Sequence, residues 1–432
     1  MRSLFFINIA FCLLVSCSSQ KQISKKARTT LLDYKGLAPA NIGISIFDAG
    51  RNKFLYNYEA EKYFTPASNV KLFTLYAGLK YLDDSIVAAR FALDEGTLVL
   101  QATGDPTFLH PDFKSQPLLQ FLQRPEIRQI RINTAFAAES FGSGWSWDDY
   151  KEEYMAERDP FPMYGNVATV IFTSDSLKTI PTVIKPFFVG MPVQNHRWEV
   201  ERPLGGHIFT IDTTKGTTGH VKQITMAMGK GLFASRYLAD TLHKEVINEY
   251  IQLNGAEGLP FYSQSTDSLF KIMMHRSDNF FAEQTLLMAS NEKLGEMNDK
   301  RMIDTLLKTD LQGLPQMPRW VDGSGLSRYN LFSPRDFIYI LNKLKDDFTL
   351  ERLKVILPGA DEGTLAGLYK GYEGHIYAKT GTLSNNIALS GFLVTRKNRT
   401  LIFSIQVNNH MTSATGLRKQ FEKLLTGLID KY

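Results

Sequence analysis

Three short patterns in this 432-residue chain place side chains able to do covalent chemistry. Ser68-Asn69-Val70-Lys71 is an S-x-x-K pattern, which on a helix sets a hydroxyl and an amine on one face, one turn apart. A serine hydroxyl is a poor nucleophile until a base takes its proton, and a desolvated lysine can be that base. The pattern alone is weak, because the chain holds four copies: Ser18/Lys21, Ser68/Lys71, Ser268/Lys271 and Ser290/Lys293. Ser18 falls in a polar stretch near the N-terminus. Ser290 reads as the exposed end of a helix, and Ser268 as part of a short helix with no hairpin before it. Only Ser68 opens a long apolar helix directly after an extended segment, where helix N-terminal N–H groups are on offer to an oxyanion. The second pattern, Ser277-Asp278-Asn279, lies between two helical segments and by itself is only a turn or helix cap. The third, Lys379-Thr380-Gly381-Thr382, occurs once and ends a strand-like run; a glycine there lets a ligand backbone come close. Taken in this order, with the expected element at each, the three are jointly specific. No cluster has metal-ligand spacing, and this chemistry needs no metal or organic cofactor.

The elements that must hold these residues can be read from periodicity. Asn41 to Asp48 and Lys53 to Tyr58 form strand-like runs around an Ala49-Gly50-Arg51-Asn52 turn, a hairpin signature. Leu72, Leu75, Leu79 and Leu82 recur at helical spacing over Ser68 to Leu82, with Pro66 just ahead. From Asp84 to Phe233 the texture changes to short strands broken by turns, among them Thr97 to Gln101, Gln129 to Asn133, Val167 to Thr173 and His207 to Asp212. Helical pattern returns at Ser235 to Leu253, Asp267 to Met274 and Phe280 to Ala289. Strands follow at His375 to Ala378, Ala388 to Thr395 and Thr400 to Asn408, then a helix over Ala414 to Ile429. The expected architecture is α/β (α+β): one domain over 29–83 and 235–432, with an antiparallel sheet and helices. A β-rich insertion, 84–234, interrupts it as two small domains.

The ends and the composition narrow the setting. Arg2 precedes the apolar runs Leu4 to Ile7 and Ile9 to Val15, a layout that reads as a signal peptide over 1–16 and not as a mature membrane span. Leu14-Val15-Ser16-Cys17 resembles a bacterial lipobox, in which Cys17 would receive a lipid and residues 17–28 would serve as a polar tether. Only Cys12 and Cys17 exist, so the mature exported chain would hold no disulfide. Membrane contact is expected through that lipid alone, on the periplasmic side, with the outer membrane favoured. A net charge of +5 with scattered Lys and Arg carries no basic stripe for nucleic acid.

The ordered motifs resemble those of the serine acyltransferases that include penicillin-binding proteins and β-lactamases. Further stretches are similar to one branch, the penicillin-binding protein 4 type of D-alanyl-D-alanine carboxypeptidase/endopeptidase, a class C low-molecular-mass group. These are Thr65-Pro66-Ala67-Ser68, Gly104-Asp105-Pro106-Thr107, Gly144-Trp145-Ser146-Trp147-Asp148-Asp149, Asp322-Gly323-Ser324-Gly325-Leu326-Ser327-Arg328, Leu357-Pro358-Gly359 and Glu362-Gly363-Thr364-Leu365. The roughly two hundred residues between Lys71 and Ser277 also fit that branch, which carries inserted β-rich domains there. The resemblance implies that Ser68 attacks the penultimate D-Ala carbonyl of peptidoglycan stem peptides. Lys71 serves as base, and Ser277 relays a proton to the leaving amine while Lys379 supplies the positive field. Asn279 binds the substrate amide and steadies Lys71, and Thr380, Gly381, Thr382 and Asp278 bind substrate. Backbone N–H groups of Ser68 and Thr382 meet the oxyanion. It also implies covalent inhibition by β-lactams. A β-lactamase or esterase of the same superfamily is the alternative enzyme, but no E-x-x-L-N segment follows Ser277. A non-catalytic muropeptide- or β-lactam-binding lipoprotein is the alternative without chemistry. Gly104-Asp105-Pro106 and Asp322-Gly323-Ser324-Gly325 read as turns, and Trp145 and Trp147 as buried anchors of the insertion.

Overall fold

A computed structural model describes residues 21–172, 177–191, 200–203, 208–212, 221–251, 253 and 258–432. Two compact units divide it: 1–76 with 270–277 and 306–432, and 77–269 with 278–305. The expected insertion, 84–234, lies wholly within the second unit, which extends past it on both sides. Residues 1–16, expected as a signal peptide, and Cys17 and Ser18 lie outside the described residues.

The first unit is built on a five-stranded antiparallel sheet, in the order Ile376–Leu383, Asn386–Val394, Thr400–Asn408, Asn41–Asp48, Lys53–Tyr58. The first two strands are joined by a tight Ser384-Asn385 hairpin turn with Asn385 in the left-handed region, at φ 67°. The K-T-G strand is thus an edge, paired through Lys379↔Ser390 and Gly381↔Ala388 on one side. Ile44, Ile46, Phe403 and Ile405 bury themselves in a core shared with Leu417, Phe421, Leu424 and Leu428 of the Ala414–Lys431 helix. Ser413 caps that helix, its Oγ accepting from Gly416 N at 3.1 Å. The stretch expected to be a free tether behaves differently. Residues 21–27 are helical, and Ile23, Ala27 and Leu31 are buried in the same core. Their spacing of four explains it: three apolar residues fall on one helix face and find an apolar neighbour.

The second unit holds a five-stranded mixed sheet ordered Glu245–Asn248, Gln129–Asn133, Thr97–Ala102, Ser85–Asp94, Leu259–Ser265, plus two three-stranded sheets. The long helix expected over Ser235 to Leu253 is shorter here. Ala234–Leu242 is helical, His243 turns left-handed at φ 53°, and Glu245–Asn248 becomes a strand parallel to Gln129–Asn133. Val246 and Ile247 are β-branched and gain a sheet edge, which outweighs local periodicity.

Candidate active site

Ser68 stands in a 3₁₀ turn, Ala67–Val70, that runs into the Lys71–Tyr81 helix. The turn is fastened from below by packing: Phe73 meets Phe332, Phe337 and Trp320 with ring centroids 4.8, 5.7 and 5.6 Å away. Ser68 stays partly accessible while Lys71 is fully buried. Lys71 Nζ donates to Ser68 Oγ at 2.9 Å and to Ser324 O at 2.7 Å. The amine and hydroxyl of the S-x-x-K pattern are therefore in direct contact.

The carbonyl at Ser324 owes its position to the Asp322-to-Asn330 loop. Asp322 is buried and accepts from Gly325 N at 2.9 Å, Ser327 N at 2.6 Å and Asn330 Nδ2 at 2.7 Å. Gly325 has φ 81°, and a Cβ there would collide with the Ala67 carbonyl next to the serine. What reads in the sequence as turn chemistry is a turn, and it also supplies an acceptor to the buried lysine.

The K-T-G strand runs against the same 3₁₀ turn. Asn69 Nδ2 donates to Lys379 O at 3.0 Å, and a Cβ on Gly381 would lie 2.5 Å from Pro66 O. The room left by this glycine is taken by the chain's own Pro66–Asn69 turn, whereas the sequence suggested a ligand there. Lys379 is fully buried; its Nζ donates to Ser277 Oγ and to Thr380 O, each at 2.8 Å. Burial first, then the charges of Lys71 and Arg418, push the Lys379 ammonium well below its ordinary range. Ser277 follows the Thr266–His275 helix and takes a left-handed φ of 61°, strain that a non-glycine residue keeps only where its surroundings impose it. Two hydroxyl–amine pairs, Ser68/Lys71 and Ser277/Lys379, thus occupy one unit and are linked through the Asn69–Lys379 bond and the lysine–lysine field.

A family model described as D-Ala-D-Ala carboxypeptidase 3 (S13) family matches residues 23–195 and 224–428. The chain belongs to that family. It is similar to D-alanyl-D-alanine carboxypeptidase DacB of Haemophilus influenzae, 22% identical over 91% of this chain and 92% of the relative. The D-alanyl-D-alanine carboxypeptidase of an Actinomadura strain is 25% identical over 88% of this chain and 80% of that one. The crystal structure of penicillin binding protein 4 from H. influenzae superposes with a TM-score of 0.74 at 20% identity, covering 95% and 99% of the two chains. The α/β architecture expected from the sequence is the fold of this group, and the chain is a serine-type D-Ala-D-Ala carboxypeptidase by family.

The remaining motif residues belong to the second unit. Asp278 caps the Asn279–Leu294 helix, its Oδ1 accepting from Phe281 N at 2.9 Å, and Asn279 Nδ2 donates to Tyr154 O at 3.0 Å. Two of the other S-x-x-K copies can be placed by their burial. Ser268 and Lys271 are exposed. Ser290, expected at an exposed helix end, is instead fully buried and donates to Glu296 O at 2.7 Å and Asn298 O at 3.0 Å. Trp147, expected as a buried anchor, is 73% exposed, because its short Trp147–Asp149 turn buries nothing.

Two features had no signal in the motifs. One is Arg418, whose Nη2 donates to Thr382 Oγ1 at 3.0 Å. The other is a buried ionic network in the second unit. Arg158 Nη1 meets Asp299 at 2.7 Å and Glu283 at 3.3 Å, and its guanidinium lies 5.6 Å from the Trp145 ring centre. Beside it Arg202 pairs with Glu157, which also accepts from Met228 N at 2.9 Å. A run of Glu157-Arg158-Asp159 normally reads as a solvated stretch, so only the fold reveals the network.

Proposed function

We propose that Ser68 opens the D-Ala-D-Ala peptide bond of peptidoglycan stem peptides by forming an acyl ester. The observation that carries this reading is the Lys71 Nζ to Ser68 Oγ contact at 2.9 Å, within reach for proton transfer. Lys71, as the base, takes the hydroxyl proton as Oγ attacks the penultimate D-Ala carbonyl. The N–H groups of Ser68 and Thr382 receive the oxyanion. Ser277, hydrogen-bonded to Lys379, hands a proton to the departing D-Ala amine, and water then hydrolyses the ester. Past the Pro358-Gly359 segment that pairs with Tyr377 and Ala378, the outer edge of the K-T-G strand suits an extended peptide laid beside it as a further strand. Thr380 and Thr382 offer hydroxyls to its carboxylate, and Asn279 keeps the part its motif implies, a hydrogen bond to the substrate amide. The same chemistry cleaves D-Ala cross-links where they reach the serine, and it traps β-lactams. We further propose export to the periplasmic side with a lipid on Cys17, the outer membrane being favoured. No helix among the described residues is long and apolar enough to cross a membrane.

Intact-mass measurement after benzylpenicillin treatment tests the reading. A long-lived adduct on wild type and none on Ser68→Ala is expected, together with D-Ala release from a pentapeptide by wild type only. Rapid penicillin turnover with no adduct would favour the β-lactamase alternative, and an adduct without peptide cleavage would favour the binding protein.

A further inference from the structure

Arg418 is the one arginine that reaches the K-T-G strand's Thr382 among the described residues, and its surroundings are unusual for a guanidinium. Among the other arginines of the same unit, Arg396 meets Asp430 at 2.8 Å, Arg399 meets Asp48 and Arg335 meets Glu61, while Arg319 lies over the Tyr329 ring and Arg328 donates to Ser384 O. No carboxylate among the described residues pairs with Arg418. Its Nε is buried without a hydrogen-bond partner, and Nη2 donates to a neutral, exposed threonine hydroxyl. It also stands one turn inside the N-terminus of the Ala414–Lys431 helix, the end that repels a cation. Its charge falls on Lys379 as well, pressing that ammonium toward the neutral form. Each of these terms works against a cation here, and one weak bond to threonine does not offset them.

Resting on the reading above, we infer that Arg418 and Thr382 together form the receptor for the carboxylate of the residue being released, making Arg418 a determinant of specificity for substrates with a free acid there. The hydrogen-bond arithmetic fits. Because Thr382 Oγ1 accepts from the guanidinium, its own proton is left to donate, and the adjacent charge polarises that O–H. An incoming carboxylate gains the threonine donor and a guanidinium that has no competing anion to leave. It also neutralises the field that Arg418 casts on Lys379, so a substrate with a free acid brings Lys379 closer to its charged, proton-donating form.

The test compares free-acid and neutral versions of the same compound. One pair is an N-acylated tripeptide ending in D-Ala-D-Ala as acid and as C-terminal amide; the second, read by the rate of Ser68 adduct formation, is benzylpenicillin and its methyl ester. For Arg418→Gln, kcat/KM on the acid is expected to fall roughly 10- to 100-fold, mainly through KM. The amide and the methyl ester should show no such fall, and Arg418→Lys should recover part of the loss on the acid. Equal losses on acid and neutral partners would show a merely structural arginine and overturn the assignment, as would an undiminished acid preference in Arg418→Gln. A wild type that forms no Ser68 adduct would instead sink the underlying reading, and this assignment with it.

Discussion

The two units bury cations in opposite ways. In the first, Lys379 is fully buried and, among the described residues, donates to a serine hydroxyl and a carbonyl, and the charges that act on it are those of Lys71 and Arg418. In the second, Arg158 and Arg202 are just as buried but are met by Glu283, Asp299 and Glu157. An uncompensated buried charge costs several kcal/mol, whereas a compensated one costs that much only when a partner is removed. The difference separates a cation whose burial and like-charged neighbours loosen its proton from cations whose carboxylate partners hold the fold together.

Replacing Lys379 with Met should cut the rate of penicilloyl-enzyme formation by about 10³- to 10⁴-fold, while leaving the thermal midpoint unchanged or raised. A midpoint that drops as far as in a broken ion pair would make Lys379 structural and erase the contrast. Arg158→Met should do the reverse. Chemical denaturation should show a loss of about 3–5 kcal/mol, with adduct formation on the remaining folded protein close to wild type. Stability unaffected by this change would mean the network is as idle as a surface pair.

The pH dependence sharpens the contrast at smaller scale. Burial pushes the Asp159 carboxyl up to about 8, despite the N–H groups of Phe161 and Gly231 that favour its ionised form. Between the unfolded value near 3.9 and about 8 the folded state holds the extra proton. This contribution to stability is therefore full below the unfolded value and is lost as pH rises through the folded one. Lys379 runs the other way. Its folded value is depressed, so above that value and up to the unfolded one near 10.4 its contribution improves as pH rises. Urea midpoints from pH 5 to 9 should fall less steeply for Asp159→Asn than for wild type. Parallel curves would show that the carboxyl does not titrate in the folded protein.

The sequence was most readable where chemistry and local periodicity coincide. Leu72, Leu75 and Leu79 announced the helix behind Ser68, and the alternation over Asn41 to Asp48 and Thr400 to Asn408 announced the sheet that carries Lys379. The serine and lysine types at the motif positions announced the Ser68–Lys71 and Ser277–Lys379 contacts of the first unit. It was least readable where tertiary partners decide. His243 ends a helix that apolar spacing would have continued, because the next residues had a strand to join. Ser290 is buried by a loop that returns to it, and Trp147 is exposed because nothing returns to it. Arg418 lies at the far end of the chain from the serine, in a helix whose apolar face alone was visible. Asp278 shows the middle case: motif membership suggested substrate, and geometry shows a helix cap.

The helix at 21–27 bears on how a soluble form of this protein is made. Gly427 of the Ala414–Lys431 helix has Lys26 directly against it, and Ile23, Ala27 and Leu31 complete the core around Leu424 and Leu428. Trimming at residue 29, where the sequence texture first suggests the domain begins, would peel off one wall of that core and leave a greasy furrow along the last helix. Expression designs should start no later than Lys21.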